Sequence, residues 1–291
     1  MFEGTITALI TPFRDGKLDE ARFREQVEFQ ISSGIDGLVP VGTTGESPTL
    51  DFAEHERVIA LTVEQAKGRV PVIAGTGGNA TSEALHLHAY AKSAGANACL
   101  SVNPYYNKPT QEGLYRHFMT LAEKVDLPIV LYNIPGRTGI TMTAGTVARL
   151  RKASPRHFVA IKEACGSLDM VSEIMSVCDI PVLSGDDSLT LPMMSIGGRG
   201  VISVASNLLP GTISRMVAMA RKGDFAGAAE LHHKLFPLVK SLFIDGNPAG
   251  IKAAMQHVGR DTGEMRLPIV EASESTRSLI TRLVDQLGLK A

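Results

Sequence analysis

The sequence is short of the features that mark several classes of protein. It has three cysteines, Cys99, Cys165 and Cys178, an odd number with no CxxC spacing, which argues against a disulfide framework and against a thiolate metal site. They read as reduced, buried thiols. Charge of neither sign is in excess, since 29 basic and 30 acidic residues are interspersed and the formal net charge is -1. That leaves no basic field for nucleic acid and no polybasic patch for an anionic membrane. No apolar run approaches the ~18 residues that a bilayer-spanning helix needs. The opening MFEGTITALITPF places Glu3 early and reaches Pro12 after a short apolar run, unlike the basic and then hydrophobic pattern of a secretion signal. The expectation is a cytoplasmic protein whose partner is a small molecule.

What is present is a rhythm. With 44% hydrophobic residues, a chain of 291 residues can bury a large core, as one large domain or two small ones. Eight short apolar runs recur along it: TITALI (5–10), IDGLVPV (35–41), VPVIAG (70–75), NACLSV (97–102), LPIVLYN (127–133), HFVAIK (157–162), IPVLSG (180–185) and GVISV (200–204). Between them lie helix-length segments such as 19–33, 51–67 and 81–94, which open on Asp, Thr or Ser cap candidates and carry apolar residues at helical spacing. Alternation of this kind is the signature of a parallel sheet. Eight such units fit a closed (β/α)8 barrel, a TIM barrel, better than an open doubly wound sheet, which is the structural alternative. From 225 onward the chain reads helical, with breaks at Pro237, Pro248 and Pro268. The expected organisation is therefore an α/β catalytic barrel over 1–224 and a C-terminal helical extension over 225–291, with no flexible linker between them.

In such barrels the chemistry sits where strands end and loops begin. Of the twelve lysines, Lys162 is the one that ends a strand, directly after FVAI, where partial desolvation favours the neutral, nucleophilic amine. An amine so placed suits attack on a ketone. The competing reading is a lysine neutralised by a neighbouring carboxylate such as Glu163. Tyr132 ends the preceding strand, and its phenol can reach that amine to carry protons, although alone it reads equally as a core aromatic. Thr43 and Thr44 sit in the Gly-flanked turn GTTG, which can cradle a carboxylate or simply be a tight turn. Arg137, beside Pro135 and Gly136, has the fork that suits a carboxylate, though surface arginines are commoner. Asp186 and Asp187 lack a third ligand nearby, so a structural role is favoured over a metal, and no metal or cofactor is expected.

Taken together, GTTGES, PVIAGTG, PYYNKPTQEGLYRHF, LYNIPGRTG, IKEACG, LSGDD, GVISV and FIDGNPAGIK resemble the dihydrodipicolinate synthases, within the wider group of pyruvate-dependent Schiff-base lyases, from Met1 to about Pro268. The resemblance implies a lyase of lysine and diaminopimelate biosynthesis that condenses pyruvate with L-aspartate 4-semialdehyde. It makes Lys162 the Schiff-base lysine and Tyr132 the proton donor and acceptor. Thr43 and Tyr106 become a proton relay, Tyr106 coming from a neighbouring subunit of a homotetramer built as a dimer of dimers. Thr44 and the backbone of Ile202 become pyruvate-holding positions, and Arg137 the partner of the second substrate's carboxylate. It also implies an allosteric L-lysine site at Pro48, Phe52, His55, Asn79, Glu83 and Tyr105. There Phe52 stands for a histidine of the sensitive enzymes and Pro48 for a small residue, so weak or partial inhibition is expected. Asn103 and Cys165 stand where threonine is usual in the family, and NPAGIK replaces the usual NPIPVK.

Two other readings compete. One is a sister aldolase, such as an N-acetylneuraminate lyase or keto-sugar-acid aldolase, with the same lysine and tyrosine chemistry. GRTG, with Arg137 suited to a short amino-aldehyde, weighs against it. The other is a barrel that binds a small carboxylate as a sensor, against which stands the joint presence of Lys162, Tyr132, Thr43 and Tyr106.

Overall fold

The computed structural model describes residues 2–289. Met1 and Ala291, the outer limits of the two expected regions, lie outside it, as does Lys290. Strand β1 (Gly4–Ala8) leads into a hairpin of β2 (Phe13–Arg14) and β3 (Lys17–Leu18), followed by helix α1 (Glu20–Ser32), strand β4 (Gly37–Val39) and helix α2 (Phe52–Ala66). The alternation continues through β5 (Ile73–Gly75), α3 (Thr81–Ser93), β6 (Ala98–Val102), α4 (Gln111–Lys124), β7 (Ile129–Asn133), the short α5 (Pro135–Thr138) and α6 (Ala144–Ala153). Next come β8 (Phe158–Glu163), α7 (Leu168–Val177), β9 (Val182–Ser184), α8 (Thr190–Ser195), β10 (Gly200–Ser203) and α9 (Pro210–Arg221). Three helices follow, α10 (Phe225–Ser241), α11 (Ala249–His257) and α12 (Glu274–Gln286).

Each expected run overlaps a strand, and the eight form one parallel sheet in the order β4-β1-β10-β9-β8-β7-β6-β5. A bridge from Leu38 to Val72, with amides of Leu38 and Gly75 donating to the carbonyls of Pro71 and Pro40, joins the two ends and closes the ring. Closure excludes the doubly wound alternative. Alternation then decides which side chains point inward. Ile6, Ala8, Val39, Ile73, Ala98, Leu100, Val130, Ala160, Leu183 and Ile202 fill the interior as one cluster.

Caps explain most helix starts. Asp19, Asp51, Thr110, Thr143, Ser167, Asp224 and Ser273 each accept a hydrogen bond from an amide two or three residues inside the helix that follows. Helix α3 departs from expectation: Ala80 holds the cap position and Thr81 is already helical, its hydroxyl bonded instead to His117. The β2–β3 hairpin was also unexpected, although Asp15-Gly16, both at positive φ (53° and 76°), is the Asp-Gly pair that a tight hairpin turn requires.

The C-terminal helices share a core with the barrel wall. Leu235, Leu242, Ile251 and Ile280 pack with Ile10, Val201 and Met216. The expected break at Pro237 does not occur, because α10 runs through it. Pro237 and His233, whose carbonyl loses its donor, both face solvent, so water can satisfy that carbonyl.

Candidate active site

Strands β7 and β8 pair with Tyr132 opposite Lys162 and Asn133 opposite Glu163. Since Val130 and Ala160 face the barrel interior, so do Tyr132 and Lys162 two residues on. Lys162 is 5% exposed and its Nζ lies 4.3 Å from the centre of the Tyr132 ring. Gly185, at the end of β9, makes room for it, because a Cβ there would come within 3.1 Å of Lys162 Cε and 2.5 Å of Ala164 Cβ.

Glu163 turns to the opposite face, so it does not neutralise Lys162. Its buried carboxylate accepts from Asn133 Nδ2 at 2.9 Å and from the Cys165 amide at 2.8 Å, while Asn133 Oδ1 accepts from Asn103 Nδ2 at 3.0 Å and from the Met142 amide at 2.9 Å. Burial raises the Glu163 pKa. This ladder ties the ends of β6, β7 and β8 together directly behind Tyr132 and Lys162. Both departures from the family pattern, Asn103 and Cys165, flank it. The Cys165 thiol is pushed up to about 12 by burial and by the Glu163 hydrogen bond, so it is no nucleophile at neutral pH. All three cysteines are free, but only Cys99 is fully buried, the other two being half-buried.

The turn after β4 carries Thr43, half-buried, and Thr44, buried. Two glycines permit it. A Cβ at Gly75 would meet the Val41 carbonyl at 2.3 Å, and one at Gly45 would crowd Leu9 O, Val41 N and Thr11 Oγ1 at 3.1–3.2 Å. Glu46, at φ 55°, closes the turn in the left-handed region. Its buried carboxylate pairs with Lys252 at 2.7 Å and accepts the Arg266 amide at 3.1 Å. Lys252 has no exposed surface, and its Nζ donates also to Thr11 O at 2.8 Å and Glu264 O at 2.6 Å. Asn247 Nδ2 donates to Thr44 Oγ1 at 3.0 Å, and the Asn247 carbonyl accepts from Arg137 Nη2 at 3.3 Å. Sequence reasoning missed Glu46, Asn133, Asn247 and Lys252. The signals were a lysine inside the otherwise apolar AGIKAAM and a glutamate buried in a Gly-rich turn.

Arg137, exposed on α5, and Thr43 line a cavity of about 480 Å³ together with Pro48, Phe52, His55, Glu83 and Tyr105. Five of the six candidate lysine-binding residues thus share one cleft with a candidate relay residue, Thr43, and a candidate substrate-binding residue, Arg137. Asn79 is not in its lining, and its carbonyl accepts from Asn107 Nδ2 at 2.8 Å. His55 Nε2 bonds the Gly75 carbonyl at 2.7 Å, and burial lowers its pKa, so it is neutral near pH 7. Tyr106 is 88% exposed, at φ 72°. Ile202 is buried on β10 in the interior cluster.

The two aspartates divide. Asp187 accepts from the Ser203 hydroxyl and from the amides of Val204 and Ala205, which makes it a structural staple of the turn after β10. Asp186 is half-buried, its pKa raised by burial and opposed by the charges of Lys162 and Lys240. Among the described residues no group of three or more His, Cys, Asp or Glu is placed to hold a metal, and no helix is long and apolar enough to cross a membrane.

Fold and site together define the class, a (β/α)8 barrel enzyme with a buried strand-end amine. The model of the dihydrodipicolinate synthetase family matches residues 1–287, and the chain belongs to that family. It is similar to the 4-hydroxy-tetrahydrodipicolinate synthase of Pelobacter propionicus, with 50% identity over 99% of this chain and 100% of that one. Among solved structures it resembles the dihydrodipicolinate synthase of Aquifex aeolicus, at 47% identity, TM-score 0.97 and 99% coverage of both chains. The enzyme of Cyanidioschyzon merolae with lysine bound is similar too, at 38% identity, TM-score 0.96 and 99% coverage of both. The chain is therefore an enzyme, a lyase, and the shared name of its relatives favours the synthase reading over the sister aldolases.

Proposed function

We propose that this protein condenses pyruvate with L-aspartate 4-semialdehyde to give 4-hydroxy-tetrahydrodipicolinate, the first committed step of diaminopimelate and lysine biosynthesis. The observation that carries the mechanism is Lys162: a buried amine over the Tyr132 ring that makes no salt bridge among the described residues. The amine attacks the keto carbon of pyruvate, and loss of water leaves an imine. The methyl group then loses a proton to give an enamine, whose carbon attacks the aldehyde. The substrate's amino group closes onto the imine carbon and releases Lys162.

Tyr132 carries protons at the reacting nitrogen and carbon, with Thr43 and the Tyr106 of a neighbouring subunit as its relay. Thr44 and the Ile202 backbone hold the pyruvate carboxylate, and Arg137 meets that of the semialdehyde. No cofactor takes part. Residues 1–224 form the catalytic barrel and 225–291 the helical extension, and the cytoplasm is the expected compartment. An exposed tyrosine at positive φ supports a loop that is completed by another copy, in a homotetramer of paired dimers. The cleft from Pro48 to Tyr105 supports a weak L-lysine site in which Glu83 faces the ammonium.

The test is to incubate with pyruvate, reduce with borohydride and locate the adduct by peptide mass. A single adduct at Lys162, absent from Lys162→Ala, is expected. An adduct at Lys108, or one that survives in Lys162→Ala, overturns the assignment.

A further inference from the structure

We propose that Asn247, supplied by the C-terminal helical region, is a positioning residue for catalysis, fixing the direction in which Thr44 donates its hydroxyl proton. The proposal rests on the reading of Thr44 as a pyruvate-holding group. Thr44 is buried, and its Oγ1 accepts from Asn247 Nδ2. With the acceptor side of the hydroxyl taken by that amide, its hydrogen is left to point elsewhere, toward a ligand carboxylate. If the amide presented its oxygen instead, that hydrogen would be consumed within the protein. Asn247 also holds Arg137 through its carbonyl, so one buried residue spans the candidate groups for both substrates' carboxylates. Its Oδ1 is buried without a partner among the described residues, an acceptor left open at that junction.

The position of Asn247 is itself fixed. Five residues on, Lys252 spends its donors on Thr11 O, Glu46 Oε1 and Glu264 O, which locks α11 onto the turn that carries Thr44. Gly250 lets α11 approach the end of α10 closely, since a Cβ would lie 2.3 Å from the Leu242 carbonyl. Arg266 adds a third clamp through Glu46 and the Thr49 carbonyl. The C-terminal region thus grips the turn at three points, and Asn247 is the one that touches a candidate substrate group.

Asn247→Ala and Asn247→Asp test this in the full-length enzyme. Both lack the amide donor, but Asp keeps the shape and can only accept, so it takes the Thr44 proton. We expect the KM for pyruvate to rise roughly tenfold in Asn247→Ala, the equivalent of one lost hydrogen bond, with borohydride trapping at low pyruvate slowed in step. Asn247→Asp should be at least as impaired, although it is the more nearly isosteric change. A role in packing alone predicts the reverse order, with a lower melting temperature and unchanged KM. Parental KM and trapping in the folded variants, or a milder effect for Asp than for Ala, overturns the proposal. Absence of any adduct in the parent enzyme would instead refute the Schiff-base reading on which it rests.

Discussion

Two lysines are buried among the described residues, and they are put to opposite uses. Lys252 is the more deeply buried, yet each of its three protons meets an acceptor and its charge meets Glu46. Lys162 is nearly as buried and lies over an aromatic face with no carboxylate in salt-bridge range among the described residues. The comparison teaches that burial does not make an amine reactive. A saturated ammonium is a structural clamp whose removal leaves a buried carboxylate unpaired, whereas an unsaturated amine is available for bonding. The same division, bonds all made against bonds left open, runs through the rest of the site.

The largest effect should come from breaking the open side of this contrast. Tyr132→Phe keeps the ring under Lys162 and removes the hydroxyl, and kcat should fall by roughly 10²–10⁴-fold, the range for loss of a general acid and base. Borohydride trapping of pyruvate and a coupled product assay separate imine formation from turnover. Near-parental kcat would assign Tyr132 to packing alone. Next in size is the Tyr106 loop. Tyr106→Phe and Lys162→Ala should each be inactive alone and recover part of the activity when subunits are exchanged between them. Proven exchange without recovery would place Tyr106 in its own subunit's site.

The cleft sharpens the comparison at lower energy. Initial rates titrated with L-lysine to high millimolar should show weak or partial inhibition. Phe52→His should strengthen it by about tenfold through one regained polar contact to a charged ligand. A flat response in both proteins would mean that the cleft takes no lysine. Inhibition of the parent at micromolar lysine would show that Phe52 costs nothing.

The fold was legible because its signal is periodic. Eight apolar runs each became a strand, and their number and rhythm favoured a ring over an open sheet, but the closure itself rests on the Leu38–Val72 bridge, which no local pattern encodes. The placement of Lys162 and Tyr132 side by side at the ends of neighbouring strands was legible for a local reason, since each lies at the end of an apolar run. Glu46, Asn247 and Lys252 were not, because their meaning lies in contacts across 203 and 206 residues of sequence, which no local pattern encodes. Glu163 is a subtler case. Its sequence neighbour suggested an ion pair with Lys162, but strand alternation sends consecutive side chains to opposite faces, and that rule settles the matter. Pro237 was misread as a break because sequence gives the missing donor but not the solvent that replaces it.

A separate effect, on stability and not on catalysis, comes from two groups whose bonds are only half made. His88 and His117 are buried on α3 and α4, with their Nδ1 atoms bonded to Thr76 and Thr81 at 2.8 and 2.9 Å and both Nε2 atoms without a partner among the described residues. Burial lowers each to about 4, His88 also by the nearness of His117, so both are neutral in the folded enzyme. Above the unfolded value of ~6.5 neither state binds a proton and the pair has no pH effect. Between there and about 4 the unfolded chain binds protons that the folded chain refuses, so stability falls as pH falls, by on the order of 3 kcal/mol per histidine at the acid end. The melting temperature should therefore drop on going from pH 7 to pH 4.5. In His117→Gln the drop should shrink, even if the variant is less stable at pH 7, because one titrating group is gone and the other loses its repelling neighbour. An acid slope identical to the parent's would assign acid sensitivity to other groups and leave the two imidazoles as inert packing.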